Sequence, residues 1–315
     1  MILGMVPKRM LARLGAAVLA VAAGACGGGG SGTSPSSPAT AAAGAKVLVV
    51  TTTPVLTDFA RNVGGDAVEI YGVLKANVDP HDYEPTPADL KAIADADIVV
   101  KNGVGLEKWF EDTIASAEPK GTIVDASTGV AVSHEDGGDG DPHIWQDPQN
   151  AKLMVATIAG AFEAAAPDRA TTFAQQAARY TADLDALDAD VAATIATLTN
   201  KKLVTNHDAF GYYVDRYGLQ FVGAVIPSFD SQAELSQQDI NELVAAVKAQ
   251  GVKAIFSESS LPPKAAEAIA TEAGVKVVEG DDALYGDSLG PDGGSASTYV
   301  DMVQHNTKVI VANLR

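Results

Sequence analysis

Short apolar runs alternate with segments of helical spacing in the first part of the body of the chain. The runs at 46–51, 67–73, 97–100 and 122–125 are typical of strands buried on both faces. Helical spacing predicts helices at 54–63, from Thr86 onward, and at 106–117. Thr86 is a predicted N-cap, followed by Pro87 and, three residues after the cap, by Asp89. This β–α alternation predicts a parallel sheet with helices on both faces.

One apolar stripe extends through residues 167–199. Its members recur every three or four residues: Phe173, Ala177, Tyr180, Leu184, Leu187, Val191, Ile195 and Leu198. This spacing predicts a single amphipathic helix, which at ~1.5 Å per residue would be roughly 48 Å long. A coiled-coil dimer would show the same stripe, but a helix that bridges two lobes fits a compact chain better.

The alternation resumes after this stripe. Strands are predicted at 202–205, 220–225, 254–257 and 275–278, and helices at 236–250, 263–273 and 297–314, with a short helix after the first strand. The predicted fold class is α/β, with two lobes that each hold a mainly parallel sheet and are joined by one long rigid helix. The predicted boundaries are 46–166 for the first lobe, 167–200 for the linking helix and 201–315 for the second lobe.

The N-terminal pattern differs from that of the body. Lys8, Arg9 and Arg13 precede an uninterrupted apolar run at 14–25, and no acidic residue occurs in this segment. A basic region followed by a short apolar run predicts a secretory signal at 1–25. The alternative is a membrane anchor or a buried helix, but the run falls short of the ~20 residues that span a bilayer.

The single cysteine, Cys26, stands at the end of the apolar run. The sequence Ala23-Gly24-Ala25-Cys26 resembles the bacterial lipobox, although that motif usually carries Leu at the place of Ala23. The resemblance implies cleavage before Cys26 and lipidation of this residue; plain secretion with an unmodified cysteine is the alternative. The Gly-, Ser- and Pro-rich residues that follow, up to 45, predict a flexible tether to the lipid anchor. An extracytoplasmic, membrane-anchored protein is therefore expected.

Composition narrows the classes of function. The 315 residues include 22 Lys and Arg against 40 Asp and Glu, a formal net charge of −18. An acidic chain lacks the basic footprint that nucleic-acid binding requires. One cysteine excludes an internal disulfide and a Cys-rich zinc site, so that histidine and carboxylate ligands remain as candidates. We expect a monomer.

Three of the five histidines have unusual neighbours. Asp-Pro-His occurs at 79–81 and at 141–143, and His207 follows the first strand of the second lobe. Each lies where an α/β sheet binds ligands, after a predicted strand. Three histidines and one carboxylate would make a four-coordinate zinc site, with the acid expected in the loop 280–288, which holds Asp281, Asp282 and Asp287. The intervals of 62, 64 and 80 residues match no short metal motif, so ordinary core or surface histidines remain an alternative at this stage.

Longer motifs surround the same residues. They are Pro-His-Asp-Tyr-Glu-Pro-Thr-Pro at 80–87, Asp-Pro-His-Ile-Trp-Gln-Asp-Pro at 141–148, His-Asp-Ala-Phe-Gly-Tyr at 207–212, Tyr-Gly-Asp-Ser-Leu-Gly at 285–290 and Tyr-Val-Asp-Met at 299–302. In these motifs the chain resembles the solute-binding lipoproteins of zinc and manganese ABC transporters, the ZnuA/TroA-like family. The resemblance, over about 46–315, implies two lobes around a metal ion, with His81, His143, His207 and Asp287 as ligands. It also implies delivery of the ion to a membrane permease.

The resemblance leaves the metal and the fourth ligand open. Members of this family that bind zinc usually have histidine at the third position, and many manganese binders have glutamate there, so His207 favours zinc; a manganese or iron receptor is the alternative. Some members leave the fourth position to water or to Glu, and Glu258 is the substitute candidate for Asp287, or a residue that supports a ligand. His305, in the closing helix, is expected to be structural.

Two further points concern the acidic loop and catalysis. The loop before His143 carries one histidine and four acids, namely His134, Glu135, Asp136, Asp139 and Asp141, and is expected either to collect cations weakly or to be a plain surface loop. A closed four-ligand site fits binding better than catalysis, because no position is left for substrate and water. A secreted zinc hydrolase is the remote alternative, and the chain has no His-Glu-x-x-His motif. We therefore expect a protein that is not an enzyme.

Overall fold

A four-stranded parallel sheet forms the centre of the first half of the body. In this computed structural model, which describes residues 44–134 and 140–315, the strands are β1 (Val47–Thr51), β2 (Val68–Gly72), β3 (Ile98–Lys101) and β4 (Thr122–Asp125). Their order across the sheet is β2-β1-β3-β4, and all pairs are parallel. The predicted signal, Cys26 and nearly all of the predicted tether lie outside the described residues.

Strand β1 is covered on both faces, as its unbroken apolar run predicts. Val47 and Val49 belong to one buried cluster, and Val50 belongs to another on the opposite face. This arrangement follows from the period of two along a strand, which turns successive side chains to opposite sides of the sheet.

Three helices cover this sheet: α1 (Pro54–Gly64), α2 (Pro87–Asp95) and α3 (Phe110–Ala117). The predicted start of α2 is confirmed, because Thr86 and Asp89 form a reciprocal capping box. The predicted start of α3 at 106 was too early by four residues. Gly103, Val104 and Gly105 all have positive φ angles, which form a left-handed turn, and the helix begins only at Phe110.

Two helices connect the halves of the body. Helix α4 (Pro148–Ala165) was not predicted from the sequence, and α5 (Ala170–Ile195) replaces the predicted helix at 167–199. The prediction was too long: Pro167–Arg169 form a separate 3₁₀ turn, and the 26 residues of α5 span about 39 Å. The apolar stripe of α5 faces the core, with Phe173 and Leu184 fully buried. The helix contacts the α1 and α4 side of the molecule and also the second half.

The second half again pairs strands in parallel. Strands β5 (Lys202–His207) and β6 (Gln220–Ile226) form one pair, β7 (Ala254–Phe256) and β8 (Lys276–Val278) form the other, and β5 lies beside β7. The helices are α6 (Gly211–Tyr217), α7 (Gln237–Gln250), α8 (Lys264–Ala273) and α9 (Tyr299–Leu314).

The predicted fold class is confirmed: parallel strands flanked by helices occur in both halves, and a long helix joins them. Residues Ala45–Arg315 form one compact unit, and the three boundaries inside it stay a prediction. Within residues 44–134 and 140–315, no helix combines the length and the apolar character that crossing a bilayer would take.

Candidate metal centre

The three histidines and Asp287 meet at one point. His81 lies in the loop between β2 and α2, His143 lies just before α4, His207 ends β5, and Asp287 lies between β8 and α9. Their ligand atoms all lie within 4.8 Å of one another. The structure therefore brings together, from four distant segments, the same four residues that the resemblance implied.

The spacing of these atoms suits one metal ion. The Nε2 atom of His143 is 3.4 Å from the Nε2 atoms of both His81 and His207. Asp287 Oδ1 is 3.2 Å from His143 Nε2, and Oδ2 is 3.3 Å from His207 Nε2 and 3.7 Å from His81 Nε2. A tetrahedral zinc site with bonds of ~2.0–2.1 Å separates its ligand atoms by roughly 3.3 Å, close to these values.

Burial gives an independent argument for a cation. His143, His207 and Asp287 are fully buried, and His81 is 8% exposed. Among the described residues, neither carboxylate oxygen of Asp287 has a hydrogen-bond partner. A buried carboxylate carries a large desolvation penalty unless positive charge stands beside it. A metal ion at the centre of the four side chains would offset this penalty, so the donor set fits a bound cation.

Opposing effects set the protonation of these groups. Burial lowers the pKa of His81, and the opposing effect of Asp287 does not reverse it. Burial also acts to lower the pKa of His143, but Asp141 and Asp287 outweigh it and raise this pKa to about 9. Burial opposes protonation of His207 as well, yet Asp287 and Glu258 raise its pKa well above the usual value.

Asp287 responds in the opposite sense. Burial raises its pKa, but His207, His143 and His81 together hold the pKa well below its usual range. Without a metal, the carboxylate of Asp287 thus favours the protonated forms of His143 and His207. A metal ion must displace those protons, because imidazole binds a metal only in its neutral form.

Carboxylates behind two of the histidines fix their orientation. Asp141 Oδ1 lies 2.7 Å from His143 Nδ1, and Glu258 Oε1 lies 2.8 Å from His207 Nδ1. The same two oxygens also accept the backbone N–H of His143 and of His207. Such partners turn Nε2 toward the metal and hold the ring in place. Glu258 thus supports His207, while Asp287 joins the group of four.

The two Asp-Pro-His segments share a local device. In each, the aspartate accepts the backbone N–H of the histidine two residues later, at 2.9 Å. Aspartate commonly makes this turn in loops. The turn explains why the same Asp-Pro-His sequence precedes both candidate ligands. Asp141 uses the same oxygen to hold the ring of His143, whereas the second oxygen of Asp79 contacts the other half of the molecule.

Other predicted residues lie elsewhere. Asp281 and Asp282 are exposed, and His134 is exposed at the edge of the undescribed residues 135–139, which include Glu135, Asp136 and Asp139. His305 packs its ring against Tyr285 and contacts the carbonyl of Ala283, as expected for a structural residue.

Sequence reasoning missed residues that hold the Asp287 loop. The carbonyl of Gly286 accepts hydrogen bonds from Trp145 Nε1 at 3.2 Å and from Gln146 Nε2 at 2.7 Å. Asn306, on α9, pairs with both backbone groups of Tyr285. Trp145 and Gln146 lie inside the motif at 141–148, so that motif could have indicated their role. No local sequence pattern distinguishes Asn306.

Gly286 also lies against the carboxylate that supports His207. A Cβ atom at this position would lie about 2.0 Å from Glu258 Oε2, so a larger residue would have to displace the carboxylate that supports His207.

The segment 286–290 spells Gly-x-Ser-x-Gly, the pattern of a hydrolase nucleophile. Ser288 is fully buried, donates its hydroxyl to the carbonyl of Leu289 and accepts the N–H of Asn77. The segment lies in the loop before α9 rather than in a sharp strand-to-helix turn. The structural context of a nucleophile elbow is therefore not met here.

Two α/β halves around a buried centre of three histidines and one carboxylate define the class of solute-binding proteins that carry a metal ion. The family described as ZnuA, zinc-uptake complex component A, periplasmic, matches residues 49–313, and the chain belongs to this family.

Individual relatives agree with this assignment. The chain is 34% identical to the zinc-binding protein TroA of Treponema pallidum, over 86% of this chain and 90% of that protein. It is 33% identical to the manganese-binding lipoprotein MntA of Bacillus subtilis, over 87% and 91%. The solved structure of the periplasmic zinc-binding protein TroA from Treponema pallidum superposes with a TM-score of 0.81 at 32% identity, covering 86% of this chain and 99% of that one.

Proposed function

We propose that this protein is a high-affinity extracytoplasmic zinc receptor that delivers its ion to an ABC import permease. The observation that carries the proposal is a set of four buried side chains whose ligand atoms all lie within 4.8 Å of one another, five of the six pairs at 3.2–3.7 Å. Its carboxylate has no hydrogen-bond partner among the described residues. His81, His143, His207 and Asp287 are the proposed ligands.

Zinc is favoured over manganese by the donor set. Three imidazoles and one carboxylate suit zinc, whereas manganese prefers oxygen ligands and more of them. The relatives include binders of both metals, so the choice depends on the ligands of this chain. Copper and nickel would also bind in vitro, because affinity for such sites generally rises through the first-row series.

The number of candidate ligands supports the proposal of binding rather than catalysis. Four protein ligands would fill a tetrahedral zinc ion and leave no position for a reactive water. The hydrated ion would lose its waters on entry and would be released after the receptor docks on the permease. A secreted zinc hydrolase would need an open fourth position instead.

Location and assembly belong to the same proposal. Cleavage before Cys26, lipidation of Cys26 and a tether up to residue 45 would hold a monomeric receptor at the outer face of the cytoplasmic membrane. Related proteins named as lipoproteins, such as MntA, support this location. Mass spectrometry of the protein from a membrane fraction would test it, and an unmodified Cys26 would contradict it.

Calorimetry with alanine variants tests the ligands. We expect His81→Ala, His143→Ala, His207→Ala and Asp287→Ala each to weaken zinc binding by more than about a hundredfold, beyond the 10–100-fold typical for residues that only support a ligand. His134→Ala, at an exposed histidine, is the matched control and should bind like the wild type. A wild-type isotherm for any of the four would remove that residue from the site.

The identity of the metal has its own test. Elemental analysis of protein purified without added metal, followed by competition between zinc and manganese, should give one zinc per chain and a preference for zinc. Retention of manganese under zinc competition would favour the manganese receptor.

A further inference from the structure

A pocket of about 350 Å³ leads from the surface to the metal centre. His81 is the one candidate ligand among the described residues that line it. The walls come from both halves of the molecule, with Val104, Gly105 and Lys108 on one side and residues 227–230 on the other. Because the other three candidate ligands are fully buried, an ion that enters by this pocket meets His81 first and leaves by it last.

Residues 227–232, which we name the roof loop, follow β6. Residues 227–230 of this loop form one wall of the pocket. The ring of Phe229 lies 6.4 Å from that of His143, in an edge-on arrangement. Asp230 pairs with Lys108 at 2.5 Å across the mouth of the pocket. The roof loop therefore covers the centre and is held to the first half at its far end.

A second connection joins the roof loop to a ligand. Asp79 Oδ2 accepts hydrogen bonds from Ser231 Oγ at 2.6 Å and from Gln232 Nε2 at 3.1 Å. The other oxygen of Asp79 accepts the backbone N–H of His81 at 2.9 Å. One carboxylate thus connects the roof loop with the backbone of the most accessible ligand.

On the opposite side of the centre, the hydrogen bonds that join the two halves are buried. Trp145 and Gln146 bind the carbonyl of Gly286 with no exposure to water. Two links of the roof loop lie nearer solvent, since Gln232 is exposed and the side chain of Lys108 is 62% exposed, whereas Ser231 is buried. Exposed polar contacts open at lower free energy than buried ones, so the roof side is where the centre opens first.

We propose that Asp79 is a positioning residue that couples the roof loop to His81 and thereby sets the rate at which the metal ion leaves through the pocket. This inference rests on the proposed receptor function. When the roof loop lifts, Ser231 releases Asp79, and the turn that holds His81 loses its second support, so that opening of the pocket and loosening of the ligand occur together.

The first test removes the donors on the roof loop without altering Asp79 or His81. The double variant Ser231→Ala/Gln232→Ala should bind one zinc per chain but release it to a chelator about tenfold faster, because hydrogen bonds to a charged acceptor hold the closed state and such losses act mainly on dissociation. The matched control is Gln237→Ala/Gln238→Ala, on α7, whose side-chain amides donate hydrogen bonds to residues of their own helix.

Each outcome of this test is decisive. Unchanged release in the double variant, with zinc still bound at one per chain, would overturn the coupling. A fall in the melting temperature of the metal-free variant with unchanged release would show a purely structural contact and would also overturn it. Failure of the wild type to bind zinc would instead contradict the proposed function.

A double-mutant cycle tests the role of Asp79 itself. If Asp79 transmits the effect, Asp79→Ala and Ser231→Ala should be non-additive on the release rate, since each breaks the same connection. Asp79→Asn keeps an oxygen for the N–H of His81 and serves as the second variant if Asp79→Ala does not fold. It should increase the release rate less than Asp79→Ala does. Additive effects on the release rate would overturn the assignment. It would also be overturned if Asp79→Asn and Ser231→Ala both released zinc at the wild-type rate.

Discussion

At the scale of single residues, two carboxylates behind the candidate ligands orient the centre. Asp141 and Glu258 hold the Nδ1 atoms of His143 and His207, so that both Nε2 atoms face one point. From the sequence, Glu258 was left open between a substitute ligand and a supporting residue, because it stands 51 positions from His207 and contacts it only after β5 and β7 have come together. The histidines themselves were predictable from their motifs and Asp141 lies inside one of these motifs, whereas the contact of Glu258 with His207 depends on tertiary packing.

Glu258→Gln is expected to weaken zinc binding by about 10–100-fold, since the amide keeps the shape but removes the charge that orients His207 and raises its basicity. Calorimetric titration would measure the change. Glu242→Gln is the control, because Glu242 is exposed on α7 and contacts Gln238 of the same helix. Equal affinity of Glu258→Gln and the wild type would remove the supporting role.

The affinity for zinc is expected to rise with pH up to about pH 9. The pKa of His143 in the metal-free protein is raised to about 9, so below that pH a bound proton competes with the metal. The affinity should therefore increase by about tenfold per pH unit for each proton displaced. Titrations in buffers of different ionisation enthalpy would detect the released protons. An affinity independent of pH would contradict this electrostatic description.

At the scale of elements, prediction succeeded where local signals agree with packing. The strands of both halves were found from short apolar runs, and α2 from its capping box. Helix α4 was missed although Asp147 caps it and Pro148 is its first residue, because apolar side chains also lie on its outer side, as the exposed Leu153 shows, and this blurs the stripe. The start of α3 was predicted too early because the backbone at Gly103 and Gly105 has positive φ angles, which interrupt a helix despite the helical spacing of the side chains.

Ser236 provides a test at this scale. Its hydroxyl accepts the backbone N–H of Asp239 and, with the side chain of that residue, completes the capping box of α7. Ser236→Ala is expected to lower the free energy of unfolding by about 1 kcal/mol, with no change in zinc affinity. Ser236→Asp, which keeps an acceptor oxygen, is the control in the same denaturant titration. A loss of equal size in both variants would contradict the capping argument.

At the scale of the whole molecule, the candidate centre connects chain segments that are far apart in sequence. Its ligands come from two loops of the first half, from the end of β5 and from the loop before α9. That convergence follows from strand order and helix packing, which no motif encodes; only the resemblance to a known family made the set of four predictable from the sequence.

Zinc should therefore stabilise the entire fold. A ligand that binds only the folded state adds about 2.7 kcal/mol when its concentration is a hundred times the dissociation constant. We expect the melting temperature to rise on addition of zinc and to return on addition of a chelator. His143→Ala should lose most of this response, whereas His134→Ala should keep it. A melting temperature that does not respond to zinc would contradict a centre shared by both halves.

The close approach of Gly286 to Glu258 has a consequence for sequence variation. Any side chain at 286 would enter the space of Glu258 Oε2, while the carbonyl of the same residue receives Trp145 and Gln146. A substitution at 286 would thus displace the carboxylate that orients His207, although Gly286 is not itself a candidate ligand. In a survey of all single substitutions under zinc limitation, Gly286 would be depleted alongside the histidines, whereas the exposed Asp281 and Asp282 nearby would vary freely.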